Sequence, residues 1–573
     1  VSTPVDEVTR VGSRHRGSAQ GIVEIPCNLT NSCYSISRAG ISHQGMPACA
    51  GRARACRCGI FEARNVSGAN IAYGGIRAKP DGIRRNRSER GARHMSHPTI
   101  VQQLADFSAD VDIARLPDIV VQECKRDILD SLGVALAGID HPRGRIGIET
   151  GRRIGGSAGD ATIIGTGERS TAYGAAFANS ELLNALDADS VLLPGHVSPY
   201  VLPGAFATAE THRRSGRDLI AAVAVSHEIS CRFGAAMSGY RDTKDGKSAN
   251  PASVVGYSST VFGATASAGK LKRLSAAKLA NALGLAAASA PVNAQRAWFT
   301  HAPTATIKYQ LAGGLTNIAL TAADLGELGH RGDLRILDDE VNGYASFIGT
   351  DRWMPEKITD NLGDEWRFPG FQMFKPYPHC RVMHAPLDLL IDIVTRNDLK
   401  PDEIDGITSF GEGWAYVLPC FTNREILEVH DAQFCFSHGL AVAAHRIPPG
   451  PRWQDPSVVF DPSVMALMNR VSLETHPAYF ESISADISSR PSRVEVRARG
   501  QVFAGEKTFP KGTPSADPAT YMTTDELVNK FRTFVDGLLP ASTIDRVVDS
   551  VLNLEKVDDF GTVIRQFVRS SGN

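Results

Sequence analysis

The chain has 573 residues, 42% of them apolar and 21% charged, with a formal net charge of −1. This length predicts two or three domains rather than one core, and the near-neutral charge excludes a general nucleic-acid or membrane-surface role. No apolar run reads as the roughly 18–20 residues a membrane helix needs; the longest candidate, residues 279–292, is Ala-rich and fits a buried helix.

Residues 1–94 stand apart. They hold 15 Lys+Arg, 14 of them Arg, against 6 Asp+Glu, and five of the ten cysteines. Hydrophobic periodicity is absent, so this segment is expected to be disordered or an over-extended gene start, with Met95 opening the folded protein. An Arg-rich targeting peptide is the rival reading, without an amphipathic helix to support it. The cysteines form no CxxC pair or regular framework, which predicts reduced thiols in a cytoplasmic protein and neither a zinc site nor a disulfide scaffold.

From Ile100 the texture changes. Val120, Val121, Cys124, Ile128, Leu129, Leu132 and Leu136 recur at helical spacing and describe one buried face. Ser215-Gly-Arg-Asp218 reads as a helix start, and a further helix is expected after Ser275. Beyond Lys375 the pattern is mixed. Ile404 and Ile407–Phe410 predict a strand; Val494, Val496 and Ala498, a turn at Arg499-Gly500, then Val502 and Phe503 predict a hairpin. Thr523-Thr-Asp-Glu526 caps a final helix. The expected fold is mainly α: a large all-helical domain (95–370 and 512–573) with a smaller α/β lid (371–511) inserted before the C-terminal helices.

Two clusters carry candidate chemistry. Asn184-Ala-Leu-Asp187-Ala-Asp189-Ser190, followed by His196, combines paired carboxylates with a histidine, a set suited to proton transfer, though short acidic clusters also cap helix ends. Lys375-Pro-Tyr-Pro-His379-Cys380-Arg381 holds cations on a proline-stiffened backbone, which suits an anionic substrate or a plain interdomain linker. Asn250 before Pro251, Lys308, and Asp431-Ala-Gln433-Phe434 at the opening of a helix are further candidates. There is no P-loop, no nucleophile elbow and no HExxH.

Taken in order, these segments resemble the MmgE/PrpD family. Asp130-Ser-Leu-Gly-Val-Ala-Leu-Ala-Gly138, Ala176-Phe-Ala-Asn179 leading into Ala185-Leu-Asp187-Ala-Asp189, Lys375-Pro-Tyr-Pro-x-Cys-Arg381 and Ala432-Gln-Phe434 are similar to its signatures, and the resemblance covers residues 99–568. It implies a helical domain with an α/β lid over the active site, a homodimer, and no metal or organic cofactor. It also implies Asp187, His196, Lys375 and, on a looser alignment, Tyr416 as catalytic residues, with Ser190, Asn250, Lys308, His379, Cys380 and Arg381 binding substrate. The chain departs from the family pattern at Asn184, where the motif usually has His, at Asn250, and at Cys380 in place of a lid histidine.

The reaction class expected from this resemblance is removal of a proton next to a carboxylate of a small polycarboxylate. Lys375 and Arg381 would stabilise the developing charge and His196 would act as base or acid, with Asp187 orienting it. A hydro-lyase of the 2-methylcitrate dehydratase kind comes first. An epimerase of the iminodisuccinate kind is the alternative, then a decarboxylase, and a non-catalytic binding protein last.

Overall fold

The computed structural model describes residues 97–570 apart from 245–246, 249–255, 293–294 and 309–310. The segment 1–94, Met95 and Asn250 therefore lie outside the described residues, all of which fall within one unit of the chain, 86–573.

The first part is helical. α1 (Ile100–Asp110) opens on a Thr99 capping box, in which the threonine side chain accepts from the Gln102 backbone and the Gln102 side chain accepts from the Thr99 backbone. α2 (Asp118–Ala137) buries the predicted stripe from Val120 to Leu136 except Val121, which is half-buried. α3 (Pro142–Gly155), α4 (Ala172–Ala185), α5 (Ser198–Thr211), α6 (Gly216–Ala236), α7 (Thr260–Leu271), α8 (Ala276–Ser289) and α9 (Ala312–Leu328) follow. α6 starts on the expected Ser215/Asp218 capping box and α8 on Ser275. Alanine and glycine are frequent among their buried residues, so these helices pack closely; α5 and α9 each contact α4 and α7 as well as one another.

Contrary to the expectation that no apolar run has that length, α6 is long and apolar enough to cross a membrane by length and composition. Its apolar window is 89% buried, enclosed by α5 and α7, as a core helix would be.

The mixed part follows. α10 (His384–Arg396) precedes β1 (Ile404–Gly411); then come α11 (Phe436–Ala444), β2 (Val471–Thr475), β3 (Ser492–Ala498) and β4 (Gln501–Lys507). The sheet order is β2-β1-β3-β4, with β1 parallel to β2 and antiparallel to β3. β3 and β4 form the predicted hairpin, with Val496 opposite Phe503. Arg499 and Gly500 both have positive φ (53° and 70°), the two-residue geometry whose twist matches the strands and which glycine takes at no steric cost. α10 covers one face of β3 and β4.

α12 (Thr524–Val535) begins on the expected Thr523/Glu526 box, and with α13 (Ala541–Leu552) it packs back onto α2. The fold is thus mainly α, with the sheet as a minor component.

The helix expected to run from Asp431 through Leu440 is broken in two. A short turn, Val429–Ala432, ends at Gln433, and α11 restarts on Cys435. The break has a reason: the Gln433 side-chain amide donates to the Ala185 carbonyl at the end of α4 (2.7 Å). Gln454 donates to the next carbonyl, Leu186 (2.7 Å), and to Pro378 (2.6 Å). Two buried amides thereby satisfy helix-end acceptors that would otherwise lack partners.

Candidate active site

α4 ends because Asp187 adopts a left-handed conformation (φ 51°), one that Asp tolerates better than most side chains. The chain from Asp187 to α5 then loops back on itself: the Leu192 N–H donates to the Gly195 carbonyl (2.7 Å), and the Gly195 N–H returns a bond to Leu192. Gly195 has φ 153°, and a Cβ there would collide with the Tyr257 ring, so only glycine fits. His196 lies beside Gly195, with its ring 5.9 Å from that of Tyr257.

This loop brings Asp187, Asp189 and His196 together, all of them buried. Asp189 pairs with His196 Nδ1, and His196 Nε2 lies 3.6 Å from Asp187 Oδ1. Two lysines from distant segments complete the cluster. Lys375 Nζ donates to Asp187 Oδ1 (2.7 Å) and to the Asp187 carbonyl (2.8 Å). Lys308 donates to the same Oδ1 and stands 3.9 Å from Asp189. Two carboxylates and two ammoniums balance around a histidine.

The charges set the protonation states. Burial pushes Asp187 and Asp189 toward the neutral form, but the two lysines and His196 outweigh it and hold both carboxyls below the usual range. Burial lowers His196 to about 4; Asp189 opposes this, while Lys308 and Lys375 reinforce it. The ring is therefore neutral near pH 7. With Nδ1–H directed at Asp189, Nε2 is the ring nitrogen that faces Asp187.

His196 lines a cavity of about 310 Å³. Tyr240, Phe299 and Trp414 form its aromatic wall, with Tyr240 and Trp414 stacked at 5.6 Å. Its charged lining, among the described residues, is Arg241, Arg352, Arg381 and Arg490 against the single carboxylate of Asp242.

The expected site residues separate into two groups. Asp187, His196 and Lys308 come together, and Cys380 reaches the cavity, where burial raises its thiol to about 11 and keeps it protonated. The remaining ones are engaged with protein partners. Lys375 was expected to contact substrate, yet its ammonium is fully buried on Asp187 and does not line the cavity. Arg381 lines it, but its terminal nitrogens are engaged by the Lys511 carbonyl (2.7 Å), Thr513 and the His384 ring (3.1 Å), so it ties the start of α10 to the segment 511–513.

Ser190, expected to bind substrate, donates to Asp127 (2.6 Å) instead. It belongs to a second buried network with Ser198 and His227, whose Nε2 is 3.0 Å from Asp127. That network ties both ends of the His196 loop to α2. His379 is buried edge-on against Trp453 (5.5 Å), where burial lowers its pKa to about 3. Tyr416 is not among the residues lining the cavity: its hydroxyl pairs with Ser409 (2.9 Å) on β1, and its ring packs edge-on against Phe436. Tyr416→Phe should therefore leave kcat/KM within about threefold while lowering stability by about 1 kcal/mol, the worth of one buried hydrogen bond; a large loss of kcat with normal folding would place the hydroxyl at the reacting atoms.

Asp189, visible in the sequence as one of the paired carboxylates, is the acid that holds His196, whereas Tyr257, Arg241, Arg352 and Arg490 belong to no local pattern and were not expected at the site.

Asp187, Asp189 and His196 also have the donor types and proximity of a metal site. Here, however, Asp187 Oδ1 already accepts two ammoniums, and a divalent ion would have to displace them. Activity should accordingly survive exhaustive chelation; loss with EDTA and rescue by one divalent ion would show that a metal replaces the lysines.

The model for the MmgE/PrpD N-terminal domain matches residues 102–356, and that for the MmgE/PrpD C-terminal domain matches residues 377–556. The chain belongs to the MmgE/PrpD family. Its relatives include the cis-aconitate decarboxylase of Mus musculus, 26% identical over 496 residues (82% of this chain and 93% of the relative). The cis-aconitate decarboxylase of Homo sapiens is also 26% identical, over 480 residues (80% and 93%). The MmgE/PrpD N-terminal match contains Asp187, Asp189, His196 and Lys308, and the C-terminal match contains Cys380, Arg381 and Arg490.

Proposed function

We propose that this MmgE/PrpD protein is a lyase acting on a small polycarboxylate, with His196 moving a proton at the carbon next to a substrate carboxylate. The observation that carries this reading is a neutral histidine, backed by Asp189, in the wall of a cavity whose charged lining is four arginines and one aspartate. A proton beside a carboxylate is very weakly acidic, so its removal needs both a base and fixed positive charge for the anion that develops. Burial supplies the first by keeping the ring unprotonated near pH 7, and the guanidinium groups supply the second.

Because the resting ring is a base, proton removal comes first. The C–H electron pair then forms the double bond, the β-hydroxyl departs, and the proton held at Nε2 leaves with it as water. A second reading is supported by the relatives, which are named as cis-aconitate decarboxylases. There the bond to a carboxylate breaks, carbon dioxide leaves, the bonding electrons remain on the carbon skeleton, and a proton drawn from solvent is added to that skeleton.

One experiment separates the two. The protein is incubated in deuterium oxide with a panel of C4–C7 hydroxy- and unsaturated polycarboxylates, including cis-aconitate. Deuterium exchange with alkene formation supports water elimination. Carbon dioxide release with one deuterium incorporated supports decarboxylation. Neither across the whole panel would overturn both readings.

A further inference from the structure

The arginines around the cavity are not equally engaged. Arg241 bonds Glu412 (3.0 Å) and Arg490 pairs with the other oxygen of the same carboxylate, which also accepts the Trp414 indole N–H (2.7 Å). One glutamate thus faces two guanidinium groups, and one positive charge is left over. Arg352 pairs with Asp242 (2.9 Å).

Three of these side chains keep a buried donor without a partner. The Nε atoms of Arg352, Arg381 and Arg490 make no hydrogen bond, although each residue lines the same cavity. Arg490 is the clearest case. It is only 5% exposed, its Nη1 faces Glu412, and its buried Nε makes no hydrogen bond. Nε and the adjacent Nη2 form the side-on fork that matches the two oxygens of a carboxylate. Buried donors in native proteins are nearly always satisfied, and an orphan in a cavity wall points to a ligand.

We propose that Arg490, with Arg352 beside the same cavity, forms a subsite for a second substrate carboxylate, one that takes no part in bond making at His196. The substrate class is accordingly a polycarboxylate whose carbon skeleton lies along Tyr240, Phe299 and Trp414. The subsite is built from both matched domains, because Arg241 and Arg352 lie in the N-terminal match and Arg490 in the C-terminal one. Substrate binding would then draw on both. The inference rests on the proposed reading only for the identity of the substrate; the anion subsite can be tested without turnover.

The test is calorimetric titration of the full chain with tricarballylate, an unreactive tricarboxylate, and with glutarate, which has one carboxylate fewer. Arg490→Lys keeps a cation beside Glu412 but removes the fork, and Arg352→Gln removes a partly exposed cation. Each should weaken tricarballylate binding about tenfold or more, the scale of one charge-assisted contact, and narrow its advantage over glutarate. Unchanged affinity in the folded variants, or no tricarballylate binding by the parent chain, overturns the subsite. If Arg490→Lys fails to fold, Arg352→Gln decides alone. Binding that depends on these arginines, in a protein that exchanges no deuterium on any substrate, would keep the subsite and sink the lyase reading.

Discussion

His196→Ala should lower turnover by about 10²–10⁴-fold, the usual contribution of a positioned acid–base group, while leaving binding of an unreactive polycarboxylate nearly intact. The ring lines the cavity but supplies no fixed positive charge near pH 7, because burial holds its pKa at about 4. In the parent protein the rate should be flat through neutrality and fall as pH drops toward 4, where the base becomes protonated.

Stability should follow the same group in a wider window. Its folded pKa is lowered from 6.5 to about 4, so between these values the unfolded chain binds a proton that the native state does not. The His196 contribution is therefore whole above pH 6.5 and is lost as pH falls to about 4. Asp187 and Asp189, both held low, lose their contributions at still lower pH. The checks are kcat/KM and urea midpoints measured from pH 4 to 8. A His196→Ala enzyme retaining more than a tenth of parental turnover would remove the ring from the chemistry.

Lys375→Met should act through the cluster rather than through the substrate. The buried set holds two carboxylates and two ammoniums, and the variant leaves one negative charge without a partner. Breaking a buried pair in this way costs about 3–5 kcal/mol, so the midpoint of unfolding should drop sharply. A second readout is independent of stability. Lys375 is one of the charges that depress His196, so its loss should move the acid limb of the pH–rate profile upward, toward the ordinary histidine value. If the variant instead keeps its stability and only KM rises, the ammonium meets the substrate directly and the buried geometry is not that of the working enzyme.

Local signals in the sequence were strong where one stretch of chain carries the whole interaction. The capping boxes at Ser215 and Thr523 and the Arg499-Gly500 hairpin each depend on residues a few positions apart, and each appears where its pattern places it. The Asp187, Asp189 and His196 loop was legible for the same reason. The break at Gln433 was not, because its cause is an acceptor on α4, 248 residues away.

What the sequence by itself determined is the mainly helical fold, the family, and the presence of two acids and a histidine on one loop. Helical periodicity, caps and turn residues are local, and a loop of ten residues keeps its side chains near each other in almost any fold. Only the tertiary structure decided what those groups are. It brings Lys308 and Lys375 onto Asp187 from 121 and 188 residues away, and so sets the charge state of the histidine between them. It engages Ser190 with Asp127 and Tyr416 with Ser409, and gathers Arg241, Arg352 and Arg490 around the cavity from three separate loops. The physical reason is common to all of these: burial and pairing of charge are properties of a residue's neighbours in space, and the order of the chain does not record them.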